Sequence, residues 1–81
     1  MAYRIVSDPR AAAQVAALPV EALQLYGQVL DVLQLQPWNG RPINPTNPEG
    51  PVRLWPVGRL LVTYLVLEDQ QRVDILDVVW A

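Results

Sequence analysis

The chain has 81 residues with 52% apolar content, six arginines, no lysine and eight acidic residues, for a net charge of −2. It has no cysteine and no histidine, which excludes disulfides, thiolate chemistry and the side chain that most often serves as general base or metal ligand. We therefore predict no metal and no cofactor. Because nucleic-acid binders rely on many phosphate contacts from basic residues, an extended phosphate-binding surface is excluded too, and any such site must use a local arginine cluster.

The length predicts a single domain over residues 1–81, with a modest core. The sequence has no apolar run near the roughly 18 residues of a membrane span. The opening residues, MAYRIVSDPR, lack a signal-peptide pattern. We therefore predict a cytoplasmic protein with no membrane partner.

The first half of the chain predicts a short strand and two helices. The strand is Tyr3–Ser7, and Asp8 and Pro9 are typical of the N-cap and first position of a helix. Pro19 ends the alanine-rich first helix and begins the second, which runs to about Gln34. The second helix has apolar residues at helical spacing, which predicts that they pack on a sheet: Leu23, Tyr26, Leu30 and Leu33, joined by Ala22, Leu25, Val29 and Val32.

Residues 36–51 form a proline-rich loop, reading QPWNGRPINPTNPEGP. Prolines at every third position from 42 to 51 exclude a helix and an interior strand. Sixteen residues is long for a connection in a small domain. The loop is either functional or packed onto the fold by Trp38.

The second half of the chain predicts three strands, Val52–Trp55, Leu60–Leu67 and about Arg72–Trp80. The Leu60–Leu67 segment is apolar almost throughout, which indicates a central strand with both faces covered or nearly so. In the last strand, strict alternation places Asp77 on one face with Val73, Ile75 and Val79, so Asp77 is a paired, edge or functional acid. The element order is β-α-α-β-β-β, an α+β fold with a small antiparallel-rich sheet and an α-hairpin packed on one face.

The residues also suggest a surface for a partner. Arg53 and Arg59 lie close in sequence, and Arg41 of the loop could join them. The sheet face left free by the helices is mostly apolar, and an apolar surface with an arginine rim suits an acidic, amphipathic partner segment. In the alternative reading, Trp38 and the proline loop cover that face. The candidate residues for RNA or partner binding are Arg41, Trp55 and Trp80.

The order and spacing of several segments resemble the RelE/ParE family of bacterial toxins. They are the opening YRIVSDPRAAAQVAALP, the phrase LQLQPWNGRP, the spaced Arg53 and Gly58, the strand and turn VTYLVLED, and the closing VDILDVVW. The resemblance covers nearly the whole chain. It implies the toxin of a type II toxin–antitoxin pair with a cognate antitoxin protein as partner.

The resemblance implies two alternative activities. RelE-like members cut mRNA on the ribosome, which would make this chain an endoribonuclease, with Arg53 and Arg59 as its catalytic candidates. ParE-like members instead inhibit DNA gyrase without cutting RNA. The catalytic set is incomplete here, because Leu61 stands where RelE-like members often have arginine, and Trp80-Ala81 stand where they continue into a basic tail. A non-enzymatic toxin, or a toxin-like protein that has lost activity, therefore stays open, as does the oligomeric state.

Overall fold

The computed structural model describes residues 2–81. Within that range the chain forms two helices and five strands. In order they are β1 (Arg4–Ser7), α1 (Pro9–Ala16), α2 (Val20–Leu35), β2 (Arg41–Pro42), β3 (Val52–Val57), β4 (Leu60–Leu67) and β5 (Arg72–Trp80). Short 3₁₀ turns at Pro37–Asn39 and Glu68–Gln70 follow α2 and β4.

The sheet has the order β1-β5-β4-β3-β2, so β4 is central, as its sequence predicts. All neighbours are antiparallel except β1 and β5, which run parallel. The α+β prediction is confirmed, with one strand more than the sequence indicates. That strand, β2, lies at the edge, where Pro42 costs no interior hydrogen bond.

The two faces of β4 differ in burial. Leu60, Val62, Tyr64 and Val66 face the helices and are at most 2% exposed. The opposite residues, Leu61, Thr63, Leu65 and Leu67, are only half-buried. The prediction that both faces of β4 are covered therefore holds only for the face that contacts the helices. The opposite face is a partly exposed apolar surface, here called the open face.

The predicted alternation of β5 fails at a bulge. Thr63 pairs with Asp77 but the next residue, Tyr64, pairs with Ile75, so Leu76 is the extra residue. The bulge moves Val78 to the buried side, and Asp77 is the paired acid among the three predicted alternatives. Its Oδ1 accepts a hydrogen bond of 2.8 Å from Nε2 of Gln14 on α1.

Helix α1 begins as predicted, with the Asp8 carboxylate accepting from the backbone N–H of Arg10 at 2.9 Å and proline at the first position. It lies along β5 beyond the end of β1. There Gln14 Oε1 accepts a hydrogen bond from the backbone N–H of Val78 at 2.8 Å. Ala11 is fully buried in the core. The small alanine side chains thus let the helix lie close to the strand and cover its free edge.

Helix α2 packs on the sheet through a narrower ridge than its sequence predicts. The fully buried residues are Ala22, Tyr26, Val29 and Leu33. Leu30 is half-buried, and the prediction for Leu23 is wrong, since this side chain is 41% exposed. At 100° per residue the apolar residues cover about half of the helix surface, and the sequence alone does not reveal which part of that half contacts the sheet.

Candidate functional site

Arg53 on β3 is the most deeply buried charged residue described, at 7% exposure. Its Nε donates to the carbonyl of Gly40 at 2.8 Å, and its Nη1 donates to the carbonyls of Pro48 and Gly50 at 3.2 and 3.0 Å. The guanidinium carbon lies 5.2 Å from the centre of the Trp38 ring. Arg53 therefore holds both ends of the proline-rich loop against the sheet.

Tyr64 on β4 anchors the start of the same loop. Its buried hydroxyl donates a hydrogen bond of 2.6 Å to the carbonyl of Pro37, and burial raises its pKa. Gly40 passes so close that a Cβ there would lie 2.0 Å from the Tyr64 hydroxyl oxygen. Tyr64 is thus a core residue whose hydroxyl is occupied in a structural hydrogen bond.

A second cluster, around Glu68 after β4, fixes Trp38. The carboxylate accepts hydrogen bonds from the Trp38 indole N–H at 2.7 Å, the Tyr3 hydroxyl at 2.8 Å and the Gln71 amide at 2.8 Å. The sequence indicates only that Glu68 lies in the turn after β4. Its partnership with Tyr3 spans 65 positions, and no local spacing signals such a contact. Trp38 thus packs the loop onto the fold, as one of the two alternatives for this segment predicts.

The Glu68 cluster predicts a pH dependence of stability. The hydrogen bond from Trp38, followed by that from Tyr3, holds the pKa of Glu68 below its usual range. A carboxylate with a lowered folded pKa contributes stability that is complete above its unfolded pKa of about 4.3 and is lost as the pH falls through the folded pKa. We expect the urea midpoint of the wild type to fall across this acidic window, and that of Glu68→Gln to fall less.

Glu49→Gln is the matched control for this comparison. It removes the same charge from an exposed loop residue. The control should keep the steep wild-type dependence. Equal acid sensitivity of the wild type and Glu68→Gln would show that the cluster does not contribute.

Arg59 and Trp80 meet at the opposite end of β4. The Arg59 guanidinium carbon lies 4.6 Å from the Trp80 ring centre, and its Nε donates to the carbonyl of Ala81. The Ala81 N–H in turn donates to the Arg59 carbonyl at 3.0 Å. Arg59 is exposed, so its guanidinium remains open to solvent on one side.

Arg41 and Trp55 both lie near the β2 edge of the sheet but on opposite faces, since Arg41 pairs with Leu54 and Trp55 pairs with the buried Val62. Arg41 is exposed on β2, and its side chain has no hydrogen bond or ion pair to the residues described. Trp55 is half-buried and packs against the core. Together they line a cavity of about 250 Å³. Two of the three predicted RNA- or partner-binding residues therefore border one cavity from opposite faces of the sheet, while Trp80 lies elsewhere with Arg59.

The structure does not bring Arg53 and Arg59 together. Arg53 pairs with Tyr64, whereas Arg59 immediately precedes Leu60, and four residues of β4 span about 13 Å. Arg41 pairs with Leu54, so it lies on the sheet face opposite to Arg53. The three arginines thus form no common cluster, and Arg53 does not border the open face.

The open face remains accessible to a partner. Its β4 residues are half-buried, and Val79 of β5 is 42% exposed. The Arg72–Asp74 ion pair, with 2.8 Å between Nε and Oδ1, lies on β5. Trp38 stacks with Arg53 on the helix-covered side, so it does not cover this face.

Within residues 2–81, neither helix is long and apolar enough to cross a membrane. The same residues contain no group of three or more acidic side chains placed to hold a metal ion.

Solved structures with the same architecture are toxins and toxin–antitoxin complexes. A chain of the RelBE2 toxin–antitoxin complex from Mycobacterium tuberculosis superposes with a TM-score of 0.85 at 18% identity, covering 100% of both chains. The isolated RelE toxin of E. coli gives 0.78 at 18% identity, with 99% of this chain and 85% of that one covered. A chain of the archaeal RelE–RelB complex from Pyrococcus horikoshii gives 0.68 at 18% identity, covering 99% and 96%.

These likenesses establish the fold. The chain has the α+β fold of the RelE toxins, and the resemblance predicted from the sequence is confirmed at that level. No protein-family pattern matches the sequence, and no curated protein matches it closely.

Proposed function

We propose that this chain is the toxin of a type II toxin–antitoxin pair, inhibited by a cognate antitoxin protein, and that it blocks translation by ribosome-dependent cleavage of mRNA. The observation that carries the proposal is the RelE fold over the full length of the chain. Four of the similar structures contain a RelE protein together with RelB or a RelB peptide. The open face, apolar and accessible, supports a role for a partner of this kind.

The proposed reaction is attack of a ribose 2′-hydroxyl on the neighbouring phosphate. It needs a base, an acid for the leaving oxygen and positive charge for the transition state. Arg41 and Arg59 are the exposed arginines among the candidates and are the ones able to contact a phosphate directly. Arg53 supports the reaction indirectly in this proposal, because its guanidinium binds loop carbonyls.

The test is induction of the chain alone and together with the protein encoded by the adjacent reading frame. We expect growth arrest on induction, its relief by the adjacent protein, and new mRNA 5′ ends in primer extension. Growth arrest with intact transcripts would exclude cleavage while leaving the toxin assignment in place. Unaffected growth would exclude the toxin itself.

A second candidate function is a non-enzymatic toxin on the same fold. The observation that favours it is that the catalytic candidate Arg53 is already occupied, since its guanidinium binds three backbone carbonyls. Such a protein acts by occupying its target, DNA gyrase in the ParE-like case. Inhibition of gyrase supercoiling by the purified chain, with mRNA intact, would select this function over cleavage.

A further inference from the structure

The cavity beside β2, here called the edge notch, is lined by Asn39, Gly40, Arg41, Leu54, Trp55 and Pro56. Strand β2 has two residues and β3 has six, so the edge of β3 is uncovered from Trp55 onward. The chain leaves the edge at Gly40, where the carbonyl binds Arg53. The notch is thus the space that a longer β2 would fill.

The notch suits a side chain better than an added strand. Strand addition depends on backbone donors and acceptors along the open edge, and Pro56 has no N–H to donate. Leu54, Trp55 and Pro56 instead give the notch mostly apolar walls. A volume of about 250 Å³ accommodates one aromatic side chain with its neighbouring backbone.

The rim of the notch carries one available cation. Arg41 is exposed and its side chain is unpaired among the described residues. By contrast, Arg10 and Arg72 lie next to acids, Asp77 and Asp74. Tryptophan and arginine are the residue types most enriched where binding energy concentrates in protein interfaces.

We propose that the edge notch binds an aromatic side chain of a protein partner, with an adjacent carboxylate of the partner pairing with Arg41. The identity of that partner as the antitoxin rests on the proposed function. Arg41 pairs with Leu54 on the side of the open face, so a segment lying on that face can place an anchor residue in the notch. Arg41 is the one charged residue among the described residues that line the notch, and a single guanidinium suits one carboxylate, whereas a nucleic-acid strand would need further cations from outside the notch.

Small probes test the notch without an antitoxin. N-acetyl-L-tryptophan carries the ring and the carboxylate, N-acetyl-L-tryptophanamide carries the ring alone, and adenosine 5′-monophosphate carries a base and a phosphate. In NMR titrations of the isotope-labelled full chain, we expect N-acetyl-L-tryptophan to shift the amide signals of Gly40, Arg41 and Trp55. We expect a dissociation constant of about 1 mM, and binding of N-acetyl-L-tryptophanamide about two- to fivefold weaker.

Two charge-reversal variants test whether N-acetyl-L-tryptophan binds beside Arg41. Arg41→Glu should weaken the binding of N-acetyl-L-tryptophan at least about fivefold. Arg4→Glu should leave its dissociation constant unchanged within about twofold. Arg4 is also exposed, and it lies on β1 at the opposite edge of the sheet. The two variants change the net charge equally, so a difference between them reports position.

Three outcomes of these titrations would overturn the proposed binding of an aromatic side chain in the notch. Tighter binding of adenosine 5′-monophosphate at the same residues would overturn the proposal in favour of a nucleotide site. Absence of shifts with all three probes, or equal effects of the two charge reversals, would also overturn it. None of these measurements uses toxicity, so they fail or succeed independently of the toxin assignment.

Discussion

Replacing Gly40 with alanine should destabilise the protein by at least about 3 kcal/mol, because the new methyl group has no space. Its Cβ would lie 2.0 Å from the Tyr64 hydroxyl oxygen and 2.8 Å from the carbonyl oxygen of Leu54. The backbone at Gly40, with φ −66° and ψ 158°, is one that any residue adopts. The glycine is thus required by packing and not by backbone conformation.

Relief of this clash must break other contacts. Movement of Tyr64 would break the hydroxyl's bond to Pro37, and movement of Gly40 would break its carbonyl's bond to Arg53. An unpaired buried polar group costs about 1–3 kcal/mol in addition to the steric strain. A domain of this size has a total stability of about 5–15 kcal/mol, so the variant should be close to unfolding.

Gly27→Ala is the matched control. A Cβ at Gly27 meets nothing within 4 Å, and the residue lies inside α2. Alanine should stabilise the protein there by about 0.5–1 kcal/mol. Urea unfolding followed by circular dichroism measures both variants. A loss of stability below about 1 kcal/mol for Gly40→Ala would mean that Gly40 lies farther from Tyr64 than in this structure.

The sequence predicts the elements of this fold better than their contacts. The central strand, the Asp8–Pro9 helix start and the RelE-like topology follow from apolar runs, capping residues and segment order. The bulge at Leu76 does not follow, because one extra residue in a strand leaves no compositional trace. Nor does the exposure of Leu23 follow, since tertiary packing selects one ridge within a broad apolar face.

The candidate site was harder to predict than the fold because side chains have roles that residue type does not reveal. An arginine on a strand is equally suited to contact a phosphate or to bind carbonyls. Only the folded loop shows that Gly40, Pro48 and Gly50 meet at Arg53. The position of Arg41 and Trp55 beside one cavity likewise depends on where β2 ends.

Replacing Arg53 with methionine should cost about 3–5 kcal/mol of stability, because it removes three hydrogen bonds from a charged donor and leaves the buried carbonyl of Gly40 unpaired. Methionine keeps much of the side-chain volume, so the loss reports the guanidinium and not a cavity. Arg53→Lys should recover at most about half of the loss, since a single ammonium group cannot reach carbonyls that the separated N–H donors of the guanidinium bind.

In Arg53→Met, the proline-rich loop should lose protection from hydrogen exchange before the rest of the protein does. Without Arg53, the end of the loop at Pro48 and Gly50 loses its link to β3, while β2 stays paired with β3 and Trp38 stays bonded to Glu68. Hydrogen exchange should therefore accelerate at the loop amides, including Asn47 and Gly50, which bond within the loop. Arg41→Met is the control, and this exposed position should change stability by less than about 0.5 kcal/mol.

Combining stability with toxicity separates the two roles considered for Arg53. If it acts by holding the loop, toxicity in Arg53→Lys and Arg53→Met should decline in step with folded protein, and a lower growth temperature should restore part of it. If Arg53 contacts the target directly, Arg53→Lys should abolish toxicity while the urea midpoint stays close to wild type. The hydrogen bonds to Gly40, Pro48 and Gly50 favour the first outcome, because Nε and Nη1 of the guanidinium are already bound to loop carbonyls.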